Sequence, residues 1–319
     1  MDRQDARRGW TSGWSVAALA LATLAACGDD EVVFDVDGSG DAGGGATDTA
    51  GGGDDATGGD EADSTGTPST ATLPTYSGGE CPIIQPGQNS LATEGGSRSF
   101  DVYVPARGAG GPLLFWYYGT GDNAANYTWM QSVATQYGMT VVVPRAKGDN
   151  LFEWPIMSSN APGAELGFFD DMVACVDDSY GIDPNRIYVS GFSAGALWST
   201  YLVMQRSDFI ASAAIFSGGT GSLVRRYETP SHPTPILGLF GGDTDVYAGL
   251  VNFKQQMSEF MDGLVADGHF VVGCDHGLGH TVPSDAFDWG LDYVLAQTWG
   301  EPPAFDAVPS TLPSYCRVW

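Results

Sequence analysis

The chain has 319 residues and a formal net charge of −26, with 13 Lys and Arg against 39 Asp and Glu. A surface this acidic repels phosphate backbones, so nucleic acid is not an expected partner. Large apolar residues are sparse in the low-complexity stretch before Cys81 and plentiful after it, so one α/β-sized domain is expected over residues 81–319.

Residues 1–27 read as an export signal. Arg3, Arg7 and Arg8 give a positive start, and the apolar run over 16–26 is too short to span a bilayer comfortably. It ends in Leu24-Ala25-Ala26-Cys27, which resembles the bacterial lipobox. The resemblance implies that Cys27 carries a diacylglycerol and becomes the mature N-terminus, so a membrane is expected as a partner. Gly28, rather than Asp, after that cysteine points to the outer membrane.

Residues 28–80 are rich in Gly, Asp, Ala and Thr, with no Lys or Arg between Cys27 and Arg98. Such a composition buries too little apolar surface to offset its ordering entropy. It is expected to be a disordered tether with a reach of roughly 40 Å. Beyond it, Cys81, Cys175, Cys274 and Cys316 make an even set in an exported chain. Two disulfides are expected, and the sequence leaves all three pairings open.

From Arg98 the chain alternates short apolar runs with helix-compatible segments. Strands are expected at 100–104, 113–118, 140–143, 186–189, 211–216, 236–240 and 270–272, and helices at 129–137, 169–180, 194–204, 253–267 and 287–299. This order predicts an α/β protein with a mostly parallel sheet and helices on both faces. Sites in such folds gather at the carboxyl ends of the strands.

Ser190-Gly191-Phe192-Ser193-Ala194-Gly195 follows the strand at 186–189 and opens a helix. A serine on so tight a strand-to-helix turn has its hydroxyl exposed, and glycine on either side removes side chains that would collide there. Ser193 is therefore the expected nucleophile. The stretch from Ile182 to Gly195 resembles the nucleophile region of secreted esterases grouped as polyhydroxybutyrate depolymerases and feruloyl or acetyl-xylan esterases, over about residues 98–299. The resemblance implies an α/β-hydrolase fold and cleavage of carboxylic esters such as hydroxyalkanoate oligomers or feruloyl and acetyl polysaccharides.

His280, in Gly277-Leu278-Gly279-His280-Thr281-Val282-Pro283, is similar to the histidine loop of that family and is expected to be the general base. His276 is the alternative; His269 and His232 are expected to be structural or solvated. The acid should follow the strand at 236–240, within Gly241-Gly242-Asp243-Thr244-Asp245. The family pattern His-Gly-x-x-Asp is altered here: Phe240 replaces the histidine and Thr244 fills the acidic position. Asp245 is the expected acid, with Asp243 as the alternative. The order Ser193, Asp245, His280 is that of α/β-hydrolases.

The amides of Ala194 and Thr120 are the expected oxyanion donors, the latter from the loop after the strand at 113–118, with Gly121 the next choice. In that loop Tyr118 stands where the family has a histidine. Phe192, Trp154 and Trp198 are expected to line the substrate pocket. No metal-ligand cluster and no phosphate-binding glycine loop stands out, so no cofactor is expected. Two other functions compete: a peptidase of the prolyl-oligopeptidase type, and a catalytically silent hydrolase fold serving as a surface-binding lipoprotein.

Overall fold

The computed structural model describes residues 69–106, 110–148 and 152–319. The expected export signal, Cys27 and the expected tether up to residue 68 lie outside the described residues. Among the described residues, eleven strands and five α-helices follow in chain order: β1 (Gly87–Thr93), β2 (Gly96–Tyr103), β3 (Gly111–Tyr117), α1 (Met130–Tyr137), β4 (Thr140–Pro144), α2 (Gly163–Tyr180), β5 (Ile182–Phe192), α3 (Ala194–Arg206), β6 (Ile210–Phe216), β7 (Ile236–Phe240), β8 (Val246–Tyr247), β9 (Val251–Asn252), α4 (Phe253–Ala266), β10 (Val271–Asp275), α5 (Ala286–Leu295) and β11 (Cys316–Val318).

Nine strands form one sheet in the order β1-β2-β4-β3-β5-β6-β7-β10-β11. From β4 to β10 every pairing is parallel. The two ends are antiparallel: β1 with β2, β2 with β4, and β10 with β11. Strands β6 and β7 are buried along their whole length, as expected where both faces are covered. Adjacent residues of β3 show the two layers. Phe115 meets Phe169 of α2 at 4.7 Å between ring centroids, while Trp116 meets Phe287 of α5 at 5.2 Å. Successive side chains of a strand point to opposite faces, so α2 and α5 lie on opposite sides of the sheet.

Three elements carry little sequence signal. In β1 only Leu91 is buried, so its polar sequence lacks an apolar run. The β8–β9 hairpin is two residues per strand, and β11 is three. The last is held by a disulfide between Cys274 and Cys316, which face each other in the β10–β11 register. The second disulfide joins Cys81 to Cys175 of α2.

Residues 69–80, placed in the tether by composition, lie against the domain. Ala71 is buried and its amide donates to Asn185 Oδ1, and Asp171 accepts from both the amide and the hydroxyl of Ser77. Short polar side chains that read as low complexity are here used as hydrogen-bonding groups. The two salt bridges Arg98–Glu165 and Arg145–Asp101 tie β2 to α2 and to the residue after β4, the first almost wholly buried.

Candidate active site

β5 delivers Ser193 at the carboxyl edge of the sheet. Ser193 has φ 57° and ψ −121°, a left-handed conformation unfavourable for any residue with a Cβ, and it directly precedes α3. The turn is tolerated because its neighbours are glycines. A Cβ on Gly195 would lie 2.1 Å from the Tyr117 carbonyl oxygen, and one on Gly191 would lie 2.7 Å from the carbonyl oxygens of Tyr117 and Gly195. The Ser193 amide donates to Phe216 O, which anchors the turn to β6.

His280 arrives on the loop after β10. Its Nε2 is 2.9 Å from Ser193 Oγ and its Nδ1 is 2.7 Å from Asp245 Oδ1. With Asp245 ionised, Nδ1–H donates to the carboxylate and the serine hydroxyl donates to Nε2. Asp245 has no exposed surface. Its burial is compensated by hydrogen bonds: Oδ2 accepts from the Gly241 amide and from Ser217 Oγ, both at 2.8 Å. The acid and histidine loops are in backbone contact. The Gly279 amide donates to Gly241 O, and a Cβ on Gly241 would meet Gly279 O at 1.9 Å.

The alternatives considered for these positions are placed elsewhere. Asp243 points to solvent and pairs with Lys254 Nζ at 2.7 Å. His276 accepts from the Leu278 amide, and burial pushes its imidazole below its usual range. His269 is buried against Thr234, and its imidazole is lowered for the same reason.

A small recess opens at Ser193. It is lined by Thr120, Ala194, Phe152, Ile156, Leu197, Val224, Tyr247, Val251 and Phe253. Apart from Thr120 and the serine itself, the wall is almost entirely apolar. Ala194 is the first residue of α3, so its amide has no acceptor within the helix and lies at the positive end of the helix dipole. Thr120 shares the recess, on a loop that passes Ser193 at Gly119, where a Cβ would approach Ser193 Cβ to 3.2 Å.

The three expected pocket residues need correction. Trp154 and Trp198 have no exposed surface and do not line the recess. Trp154 packs edge-on against Tyr117 and donates its indole N–H to Tyr118 O; Trp198 lies against Tyr201 within α3. Large aromatic side chains bury more apolar area than most others, and these two are used for the core. Phe192 is also nearly buried, and it stacks on His280 at 4.8 Å rather than lining the recess. Ser217, Phe253 and Glu153, which meet the acid, the imidazole and the 118–121 loop, were not expected. Only Ser217 had a local sign, its position before Gly218-Gly219 at the end of β6.

Among the described residues, no cluster of His, Cys, Asp and Glu is arranged to hold a metal ion, and no helix is long and apolar enough to cross a membrane.

The mostly parallel sheet, its two helical layers and a serine on the turn after the central strand define an α/β-hydrolase fold. The crystal structure of native pOPH superposes with a TM-score of 0.63 at 19% identity, covering 75% of this chain and 96% of that one. No protein-family profile matches the sequence. Its relatives include esterases and a polyester depolymerase. It is 29% identical over 167 residues to a bifunctional acetylxylan esterase/xylanase of Neocallimastix patriciarum, 51% of this chain and 23% of that protein. It is 30% identical over 137 residues to feruloyl esterase B of Talaromyces funiculosus, 41% of this chain and 39% of the relative. It is 30% identical over 102 residues to a poly(3-hydroxybutyrate) depolymerase of Ralstonia pickettii, 30% of this chain and 21% of the relative. The chain thus spans well under half the length of these three relatives.

Proposed function

We propose that the protein is a serine carboxylic-ester hydrolase. The observation that carries this reading is His280, whose two ring nitrogens lie within hydrogen-bond distance of Ser193 Oγ and Asp245 Oδ1. In this reading Ser193 Oγ attacks the ester carbonyl carbon while His280 Nε2 takes the hydroxyl proton. Asp245 keeps the proton on Nδ1 and stabilises the imidazolium. The negative oxygen of the tetrahedral intermediate is held by the amides of Ala194 and Thr120. Collapse breaks the bond to the alcohol, which leaves with the proton from His280. Water, deprotonated by the same imidazole, then releases the acid from Ser193.

The apolar recess suits an uncharged acyl group, and the relatives support hydroxyalkanoate oligomers and acetylated or feruloylated polysaccharides as the substrates to examine. We place the enzyme outside the cytoplasm, held to a membrane by a lipid on Cys27. The paired cysteines agree with export, and radiolabelled palmitate incorporation lost in Cys27→Ser tests the anchor. Turnover of p-nitrophenyl acetate or butyrate, abolished in Ser193→Ala, tests the activity. No ester turnover, with cleavage of a proline-containing amide, would favour a peptidase instead, and inactivity on both would favour a binding protein.

A further inference from the structure

The loop that carries Thr120 is held at two points by two consecutive residues. Glu153 Oε1 accepts from the Gly121 amide at 3.1 Å, and Trp154 Nε1 donates to Tyr118 O at 2.9 Å. In an extended chain, adjacent side chains point in opposite directions and cannot reach one loop together. Here they do because Glu153 has φ 61° and sits at the centre of a three-residue turn closed by the Trp154 amide on Phe152 O at 2.7 Å. That turn, with its central residue at positive φ, is the rare and strained kind. A second three-residue closure, centred on Pro155 and of the ordinary negative-φ kind, follows at once from the Ile156 amide to Trp154 O.

The braced loop is itself a turn. The Asp122 amide donates to Gly119 O, with Thr120 and Gly121 at the centre and Gly121 at φ 82°. Its middle peptide, between Thr120 and Gly121, is the unit that flips when such turns change type. Glu153 accepts from the N–H of that same peptide. Its other oxygen, Oε2, is buried without a hydrogen-bond partner among the described residues. Glu153 thus combines a strained backbone with an incompletely paired carboxylate, a poor way to stabilise a fold and a residue type that gains nothing from φ above zero.

We propose that Glu153 is a positioning residue for the reaction: by holding the 120–121 peptide it fixes the 119–122 turn, whose preceding peptide, 119–120, carries the Thr120 amide toward the oxygen developing negative charge at Ser193. The proposal rests on the ester-hydrolase reading above.

The test compares Glu153→Gly, which relieves the backbone and removes the acceptor, with Glu153→Gln, which keeps an acceptor. Four quantities are read on the whole protein: kcat and KM for p-nitrophenyl acetate, inhibition by a boronic acid that forms a tetrahedral adduct with serine, and the melting temperature. In Glu153→Gly, kcat falls at least tenfold, KM stays within threefold, boronate binding weakens in step with kcat, and the melting temperature is unchanged or raised. Glu153→Gln keeps kcat within threefold of wild type. Wild-type kcat in Glu153→Gly, a loss of kcat matched by a loss of melting temperature, or a Gln variant as slow as the Gly variant would each overturn the proposal while Ser193-dependent turnover stands. A wild-type protein without Ser193-dependent turnover overturns the hydrolase reading and this proposal together.

Discussion

The phenyl ring of Phe253 lies flat on the imidazole of His280, with centroids 4.5 Å apart and planes 9° from parallel. Phe192 also stacks on this imidazole, at 4.8 Å and 26°. Two aromatic rings stack on the imidazole, and Asp245 and Ser193 fix it in its own plane at its two nitrogens. Phe253 also ties the acid loop, since its amide donates to Asp245 O at 2.9 Å. Replacing Phe253 by Leu keeps the burial and removes the flat surface. The expected result is a fall in kcat of about tenfold, equivalent to about 1.4 kcal/mol of barrier, with KM changed less than twofold. Phe253→Tyr should recover most of the rate. Steady-state kinetics on p-nitrophenyl acetate check both.

Asp245 and Asp243 are two residues apart and differ wholly in setting. Asp245 is buried against His280, while the side chain of Asp243 is 89% exposed. Asp245→Asn leaves the shape and offers the imidazole the wrong partner, so kcat should fall by about 10³ to 10⁴. Asp243→Asn should leave kcat within twofold, because it loses only a solvent-screened pair with Lys254. A variant series in which Asp243→Asn is the inactive one would reverse the assignment.

The Cys81–Cys175 bridge closes a separation of 94 residues, against 42 for Cys274–Cys316. In the chain-entropy account, cross-links of this span limit the unfolded chain by about 4 to 5 kcal/mol, and native disulfides typically contribute about 2 to 4. Replacing Cys81 and Cys175 together by Ala should lower unfolding free energy within that range. Neither cysteine lines the recess, so kcat at 25 °C should be nearly unchanged. Urea denaturation followed by intrinsic fluorescence, alongside activity, measures both.

His269 and His276 are both held below the usual histidine range by burial. A histidine whose folded-state value is lowered binds fewer protons folded than unfolded. The associated stability is present above the unfolded value of about 6.5 and is lost as pH falls through it. Unfolding free energy should therefore decline between about pH 7 and 5. In His269 the Nδ1 atom accepts from the Thr234 amide, a bond that protonation destroys. His269→Gln should flatten part of the pH dependence. An identical slope in wild type and variant, measured by denaturant titration at several pH values, would assign the effect elsewhere.

Much of the architecture is legible in the chain because its parallel strands are continuous apolar runs. β3, β6 and β7 are almost fully buried, so their hydrophobicity marks them directly. β1 and β11 escape notice because edge strands keep polar residues and are defined by their partners. At the site, the turn at Ser193 can be read locally, since the glycines it requires are two residues away on either side. The acid could be narrowed only to Asp243 or Asp245, because a one-residue change in loop register leaves no local mark. Trp154 and Trp198 were expected at the recess; whether an aromatic ring faces substrate or core depends on what packs over it.

The sequence alone determined the strand–helix order from β2 to α5, the short β8–β9 hairpin apart, and the strained serine turn, because periodicity and glycine spacing are properties of neighbouring residues; the loop that supplies the imidazole was legible through its likeness to a family motif. The tertiary structure decided which carboxylate meets His280, how the four domain cysteines pair, that Phe192 and Phe253 stack on the imidazole, and that Glu153 reaches Gly121. Each of these is a contact between residues far apart in the chain, and such contacts are fixed by the joint packing of many elements and by no local preference of the residues that make them.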